Sequence, residues 1–260
     1  MLTVDPDWWK TIFDEVYLIT DAPFVCNPSL TSREVDTVEQ ALHLQPTDRI
    51  LDLCGGQGRH SLELARRGYP RLTVLDYTPF LLHLGWRNAA QEELPVAFCR
   101  GDARTTPFST ASFDVVLLMA NSFGYFANAD DDQQMLAEVA RVLAPGGCFL
   151  IDVTDHDYRT QHFVPESWHE ATEDIVICWR REMTGNVVRV REMVLSKSRG
   201  LLRDRGYAER LYPTEQLLLL LKEAGFTDAT VQPNAFVFSP EDATDYGLAT
   251  HRMLVTAVKV

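Results

Sequence analysis

Apolar positions along the chain follow two periods, and the change from one to the other marks the elements. Residues 8–19 and 32–44 carry apolar side chains at helical spacing, with Thr31 or Ser32 at the start of the second stretch and Glu34 and Asp36 as first-turn acids. "DRILDLC" is a short apolar run ended by glycines, which predicts a buried strand. "HSLELARRGY" predicts a helix closed by Gly68, "RLTVLDY" a second strand, and "PFLLHLGWRNAAQEE" a helix with Pro79 near its start. "VAFCRGDA" and "FDVVLLMAN" read as two more strands. "DDDQQMLAEVARVLAPGG" reads as a helix with an acidic start and a Pro-Gly-Gly stop, before a fifth strand, "CFLIDV".

Strands alternating with helices require crossover connections, hence a mostly parallel sheet with helices on both faces, an α/β fold. The pattern then changes. "WHEATEDIVICWRREM", "VVRVREMVLSK" and "LLRDRGYAERL" alternate apolar with charged residues and are separated by "TGN" and "SRG" turns, as in antiparallel strands wetted on one face. "PTEQLLLLLKEAGF" restores a helix, with Thr214 as its cap and Gly225 at its end, and "DATVQP" and "RMLVTAVKV" are the closing strands. The expected organisation is N-terminal helices and a core over 1–160, an antiparallel insertion over 161–212, and closing elements over 213–260.

Composition narrows the functional classes. The 260 residues carry 37 acids against 24 lysines and arginines, a net charge of −13, which lacks the footprint of a phosphate-backbone binder. No nucleic-acid partner is expected. The five cysteines show no metal-ligand spacing and read as reduced thiols of a cytoplasmic protein. The first twenty residues lack a basic segment followed by an apolar one, and no apolar run is long enough for a bilayer, so neither a signal peptide nor a membrane partner is expected. The acids Asp130, Asp131 and Asp132 begin a helix, where they complement the macrodipole, and Asp152 and Asp155 lack a supporting acid-rich pattern; no metal is expected.

The chemistry starts in "LDLCGGQGRH". A glycine-rich turn from a first strand into a helix brings backbone N–H groups over a crevice. Gly55, Gly56 and Gly58 do not fit G-x-G-x-x-G, so a dinucleotide is disfavoured. A nucleoside without phosphate needs acids instead. Asp52 lies at the turn, Asp76 ends the second strand 24 residues later, where it can accept both ribose hydroxyls, and Asp102 in "GDA" follows the third strand. Each also has a plainer reading: helix cap, solvated strand end, turn former.

These segments resemble the class I S-adenosylmethionine-dependent methyltransferases. "LDLCGGQG" is similar to their first motif, "LDY" to their ribose-binding acid, "GDA" to their adenine contact, and "VARVLAPGG" to the turn before their fifth strand. The resemblance covers roughly residues 30–155 and the terminal helix and strands. It implies a Rossmann-like seven-stranded sheet with an antiparallel insertion after the fifth strand. It also implies S-adenosyl-L-methionine as cofactor, held by Arg33, Asp52, Cys54, Gly55, Gly56, Gly58, Asp76, Tyr77, Asp102, Ala103 and Leu118. Arg33 would pair with the cofactor carboxylate. Cys54 stands where the family often has glycine and would contact the ligand through its backbone.

"NSFGYF", "IDVTDHDY" and "RLYPTEQ" are similar in order to the glycine N-methyltransferase and amino-sugar N-methyltransferase types. On the acceptor side the resemblance implies Asn121, Tyr125, His156 and Tyr158, with Tyr17, Tyr207 and Arg210 as further candidates and His156 as the base for a phenol or alcohol. The arginine that clamps glycine in the glycine enzyme is absent near Thr154, so the acceptor is another small molecule. Nitrogen is favoured over oxygen or carbon. The alternatives are an O- or C-methyltransferase of a secondary metabolite, a catalytically silent cofactor-binding subunit, and a nicotinamide-dependent oxidoreductase. The chain is expected as a monomer or homodimer. Trp8, Trp9 and Phe13 read as a packed helix face, with an N-terminal lid as the alternative.

Overall fold

Strands that are buried on both faces must be short, apolar and flanked by covering helices. A computed structural model describes residues 2–237 and 251–260; residues 238–250, within the expected closing segment, lie outside the described residues. Five parallel strands, β1 (Ile50–Leu53), β2 (Leu72–Asp76), β3 (Val96–Arg100), β4 (Phe113–Leu118) and β5 (Leu143–Thr154), form the centre of the main sheet. A four-stranded sheet of β6 (Glu166–Glu170), β7 (Ile175–Thr184), β8 (Val187–Ser196) and β9 (Gly200–Arg210) follows, antiparallel throughout. β10 (Phe226–Val237) and β11 (His251–Lys259) return to the main sheet, whose order is β3-β2-β1-β4-β5-β11-β10 with the last two strands antiparallel.

Alternation along β1 divides the core. Leu51 and Leu53 face α6 (Ala129–Val142) and α8 (Thr214–Glu223), in a layer with Met135, Leu136 and Leu217. Ile50 faces the other way, toward Val35 and Val38 of α3 (Pro28–Leu42) and Leu64 of α4 (Arg59–Arg66). Each such buried aliphatic side chain contributes roughly 1.5–3 kcal/mol. α5 (Pro79–Gln91) packs along β3 and β2. The strand order reverses between β1 and β4, so the carboxyl ends of those strands open a crevice. Among the described residues no helix is long and apolar enough to cross a membrane.

Four local expectations are corrected. Residues 8–19 do not form one helix: a 3-10 turn at Trp8–Lys10 and the short α1 (Tyr17–Thr20) and α2 (Ala22–Val25) wrap the rim of the crevice. α3 starts earlier than 32, because Asn27 caps it by accepting from Leu30 N (3.0 Å) and Pro28 opens its first turn. The 168–183 run is two strands, since Thr172 Oγ1 accepts from Asp174 N (3.2 Å) and Ile175 N (3.0 Å) and turns the chain. Thr214 does not cap α8: Pro213 holds that position, and the Thr214 hydroxyl lies 3.5 Å from Met253 Sδ. α7 (His156–Gln161), capped by Asp155, leads from β5 toward the second sheet.

Candidate active site

The glycine turn is shaped by what surrounds Asp52. That carboxylate is buried in β1; its Oδ2 accepts from Ser61 Oγ (2.9 Å), and its Oδ1 has no hydrogen-bond partner among the described residues. A side chain at position 55 would put its Cβ 2.6 Å from Asp52 Cγ, so only glycine lets the turn pass over the acid. Cys54, just before it, has φ 55°, a left-handed conformation that disfavours a side chain. Burial pushes both the Asp52 carboxyl and the Cys54 thiol above their ordinary values.

Asp76 is placed by the end of β2. Its Oδ2 accepts from Gly56 N and its Oδ1 from Thr78 N, each at 2.8 Å, and burial raises its pKa against those two bonds. Two donors leave the remaining lone pairs of the carboxylate for a diol facing it. Tyr77, Ala103 and Asp102 line the same cavity. Asp102 also takes Arg104, at 2.6 Å from Nη2 and 3.0 Å from Nε; burial opposes ionisation there, but the bonds from Arg104 win and lower its pKa. An orphaned carboxylate oxygen on Asp52, a carboxylate on Asp76 with lone pairs left over and a cradle closed to any Cβ fit a nucleoside with an amino-acid tail, so the residues present suit S-adenosylmethionine.

A second cavity adjoins the first; Phe13, Tyr17, Val25, Arg59, Ala120 and Tyr125 line both. Trp8, Phe24, Trp179 and Tyr207 complete apolar walls, while three carboxylates, Asp21, Glu192 and Glu209, face inward. Glu192 is committed: Trp179 Nε1 donates to it at 3.1 Å and Arg203 Nη1 at 3.0 Å. Among the described residues the Asp21 side chain accepts from Thr20 Oγ1 alone (2.7 Å), and burial pushes it up to about 7. Glu209 accepts from Asn121 Nδ2, and burial pushes it up to about 8. Carboxylates held this high in an aromatic chamber are ready to take a cation or a proton.

The floor between the cavities is an ionic network. Glu34 pairs with Arg59, Arg252 and His60, whose Nε2 lies 3.0 Å away, and Arg252 Nη1 reaches Asp152 Oδ2 at 2.6 Å. Burial works against Glu34, yet these partners hold its carboxyl well below the usual range. Asp152 in turn accepts from Ala120 N (2.8 Å), pinning a kink in which Ala120 and Asn121 both have positive φ, 56° and 63°. Such strain persists only where surroundings enforce it. Beyond the kink, Gly124 is stitched to the second sheet: Arg210 N donates to its carbonyl at 2.7 Å, and a Cβ there would lie 2.2 Å from Arg210 O.

Of the expected residues, Asp52, Cys54, Gly55, Gly56, Asp76, Tyr77, Asp102 and Ala103 line the first cavity, Asn121 the second, and Tyr125 both. Gly58 sits behind the turn as the α4 N-cap, with φ 69°. The others are elsewhere. Arg33 is exposed on α3 and lines neither cavity, because the buried face of that helix presents Glu34 to Arg59. Leu118 is wholly buried in the core, one residue before the cavity wall begins at Met119. His156 joins Asp157 (2.8 Å) and Asn186 (3.3 Å), bracing α7 against the β7–β8 hairpin, and Tyr158 stacks between His162 and His251 with centroids at 4.1 and 3.4 Å. Neither lines either of these two cavities. Arg210 turns to Asp132 and Tyr207 faces the chamber.

Trp8, Trp9 and Phe13 line the cavities as a cover, with Trp9 edge-on to Tyr77 at 4.9 Å. Sequence reasoning missed Asp21, Arg59, Glu192 and Glu209. The legible signal for Glu209 was its place in the strand alternation: it pairs in register with buried Val188, where an apolar residue belongs. Among the described residues no group of three or more ligands could hold a metal ion.

Residues 50–147 match the model of a methyltransferase domain. A putative methyltransferase of Bacillus subtilis (YqeM) is 28% identical over 182 residues, 68% of this chain and 73% of that protein. A demethylmenaquinone methyltransferase of Deinococcus radiodurans is 40% identical over 105 residues, so the match spans 40% of this chain and 42% of that protein. Among solved structures, an S-adenosylmethionine-dependent methyltransferase of Clostridium acetobutylicum superposes with a TM-score of 0.75 at 16% identity, over 94% of this chain and 96% of the other. The sugar N-methyltransferase KedS8 of Streptoalloteichus does so with 0.65 at 22%, over 94% and 93%. These two share the fold.

Proposed function

From the premise that this chain carries a class I S-adenosylmethionine-dependent methyltransferase domain, we propose that it methylates the nitrogen of a small-molecule amine. The observation that carries this is the acceptor chamber next to the cofactor cavity, where Asp21 and Glu209 face aromatic walls and, among the described residues, are bonded by Thr20 and Asn121 and by no lysine or arginine. An ammonium group satisfies both the charge and the walls. A phenol or quinol would bring no cation to either acid, leaving only the through-space charges of Arg203 on Asp21 and Arg159 on Glu209. His156, the base such an acceptor would call on, lies outside the chamber.

In this reading the cofactor supplies an electrophilic methyl group on a sulfonium, and the chain aligns and dries the reaction. Asp76 accepts the ribose hydroxyls, Asp102 the adenine amino group, and Asp52 Oδ1 the amino group of the tail. Arg59, first in α4 and common to both cavities, takes the carboxylate in place of Arg33. Tyr17 and Tyr125 form the aperture through which the two ligands meet. Five free cysteines support the cytoplasm as its compartment.

A second reading, C-methylation of a quinol, draws support from the demethylmenaquinone methyltransferase of D. radiodurans and from the same aromatic walls. Turnover on a panel of primary and secondary amines, phenols and quinols separates them. Amines are expected to be methylated and quinols not. Methylation of quinols alone would overturn the amine reading, and a protein that binds S-adenosylhomocysteine yet methylates nothing in the panel would favour a silent binding role.

A further inference from the structure

An amine reaches the chamber as ammonium, and its nitrogen attacks only after losing a proton. One wall residue is built to receive it. Glu209 is 2% exposed on β9, and among the described residues its side chain is bonded by the Asn121 amide alone. That amide cannot flip without cost: Thr154 N donates to Asn121 Oδ1 at 2.7 Å, which leaves Nδ2 for Glu209. Asn121 N is itself held by the Asp152 carbonyl at 3.0 Å, within the strained kink at the end of β4. Glu209 is therefore aimed by a fixed donor beside Ala120 and Tyr125, which both border the cofactor cavity. Glu192 cannot do this work while Trp179 and Arg203 occupy it.

We infer that Glu209 is the general base of the reaction and that Asn121 is its positioning residue. The inference rests on the amine reading above. Glu209 takes one proton from the substrate ammonium, leaving a neutral amine. The nitrogen lone pair then forms the C–N bond to the cofactor's methyl carbon as the C–S bond breaks, with that bond's electron pair remaining on sulfur. The product is a methylated ammonium and a thioether. The proton passes on to water once the product has left the chamber, which restores Glu209. Asp21, also raised by burial, becomes the counter-charge when the incoming cation draws it into its ionised form. Burial keeps the Glu209 pKa at about 8, against the Asn121 bond and the charge of Arg159, so its conjugate acid is weak enough for it to accept a proton from an ammonium.

Two measurements test this on the full chain. The first is turnover against pH for wild type, Glu209→Gln and Asn121→Ala, using the best amine of the panel. Glu209→Gln is expected to lower kcat on the order of 100-fold near neutrality while S-adenosylhomocysteine affinity stays unchanged. Its residual rate should climb with pH as solution supplies the neutral amine, and a weakly basic aromatic amine should suffer much less. The second is a carboxyl-carbon NMR titration with labelled glutamate. One resonance, absent from Glu209→Gln, should titrate far above the ordinary glutamate range and move higher in Asn121→Ala. Should Glu209→Gln fail to fold, Glu209→Asp should keep the wild-type pH slope at reduced kcat. Wild-type kcat and pH profile in Glu209→Gln, or no elevated resonance, overturns the inference and leaves amine methylation standing. A wild-type protein that methylates phenols or quinols and no amine overturns both.

Discussion

Asp76 is where the cofactor reading can be put to a quantitative test. In the structure its carboxylate already accepts from Gly56 N and Thr78 N, so two acceptor directions remain toward the cavity. A ribose diol would fill both. Net hydrogen bonds to a charged group contribute about 1.5–3 kcal/mol each, and water at the truncated site recovers part of that. Asp76→Ala should therefore weaken S-adenosylhomocysteine binding by about 2–3 kcal/mol, roughly 30- to 150-fold at 1.4 kcal/mol per decade. Titration calorimetry reads this directly, with circular dichroism as the check on folding. Because burial raises the Asp76 pKa and the diol prefers the carboxylate, binding should take up the ionised form and release a proton in mildly acid buffer. Affinity should then fall as pH drops through that raised value. A folded Asp76→Ala protein with wild-type affinity would refute the ribose assignment.

Two further outcomes follow from the buried charges. Glu209, Asp21, Asp132 and Asp152 have folded pKa values raised by burial to about 8, 7, 6 and 6, above those of unfolded carboxyls, so the stability they lend is full in acid and is lost as pH rises through these values. The melting temperature should decline between about pH 5 and 8, with Glu34 opposing only at lower pH, and Glu209→Gln should melt above wild type at pH 9; an unchanged high-pH limb would contradict the assignment. Arg252→Met removes the cation shared by Glu34 and Asp152 and should cost about 3–5 kcal/mol, a drop of roughly 10 °C in calorimetric Tm; a shift within 2 °C, expressed as about 0.5–1 kcal/mol, would mean that the network is not stabilising.

What the sequence revealed and what it hid divide along a physical line. The parallel core was legible because β1, β2 and β4 are apolar runs whose burial leaves one consistent reading, and because Asp52 and Asp76 break those runs at their carboxyl ends. The rim was not. Trp8 to Ile19 has helical spacing, but its apolar side chains serve two surfaces, the cavities and the second sheet, so the chain bends to reach both. Arg33 and Arg59 are alike in sequence, but the rotation of α3, set by Val35 and Val38, sends Arg33 to solvent, while Arg59 opens α4 directly after the glycine turn and stays at the crevice. His156 has suitable chemistry in the right loop, yet α7 turns it toward Asn186. Glu209 looked like one more charge in a wetted strand until the register with Val188 put it inside.

The atom that receives the methyl group distinguishes amine methylation from every alternative. Turnover with carbon-13-labelled methyl cofactor and the best acceptor, followed by proton–carbon correlation NMR of the product, decides it in one spectrum. An N-methyl signal whose shift moves as the product amine is titrated is the expected result. A methyl signal indifferent to pH, as on a phenol oxygen or a ring carbon, would contradict it.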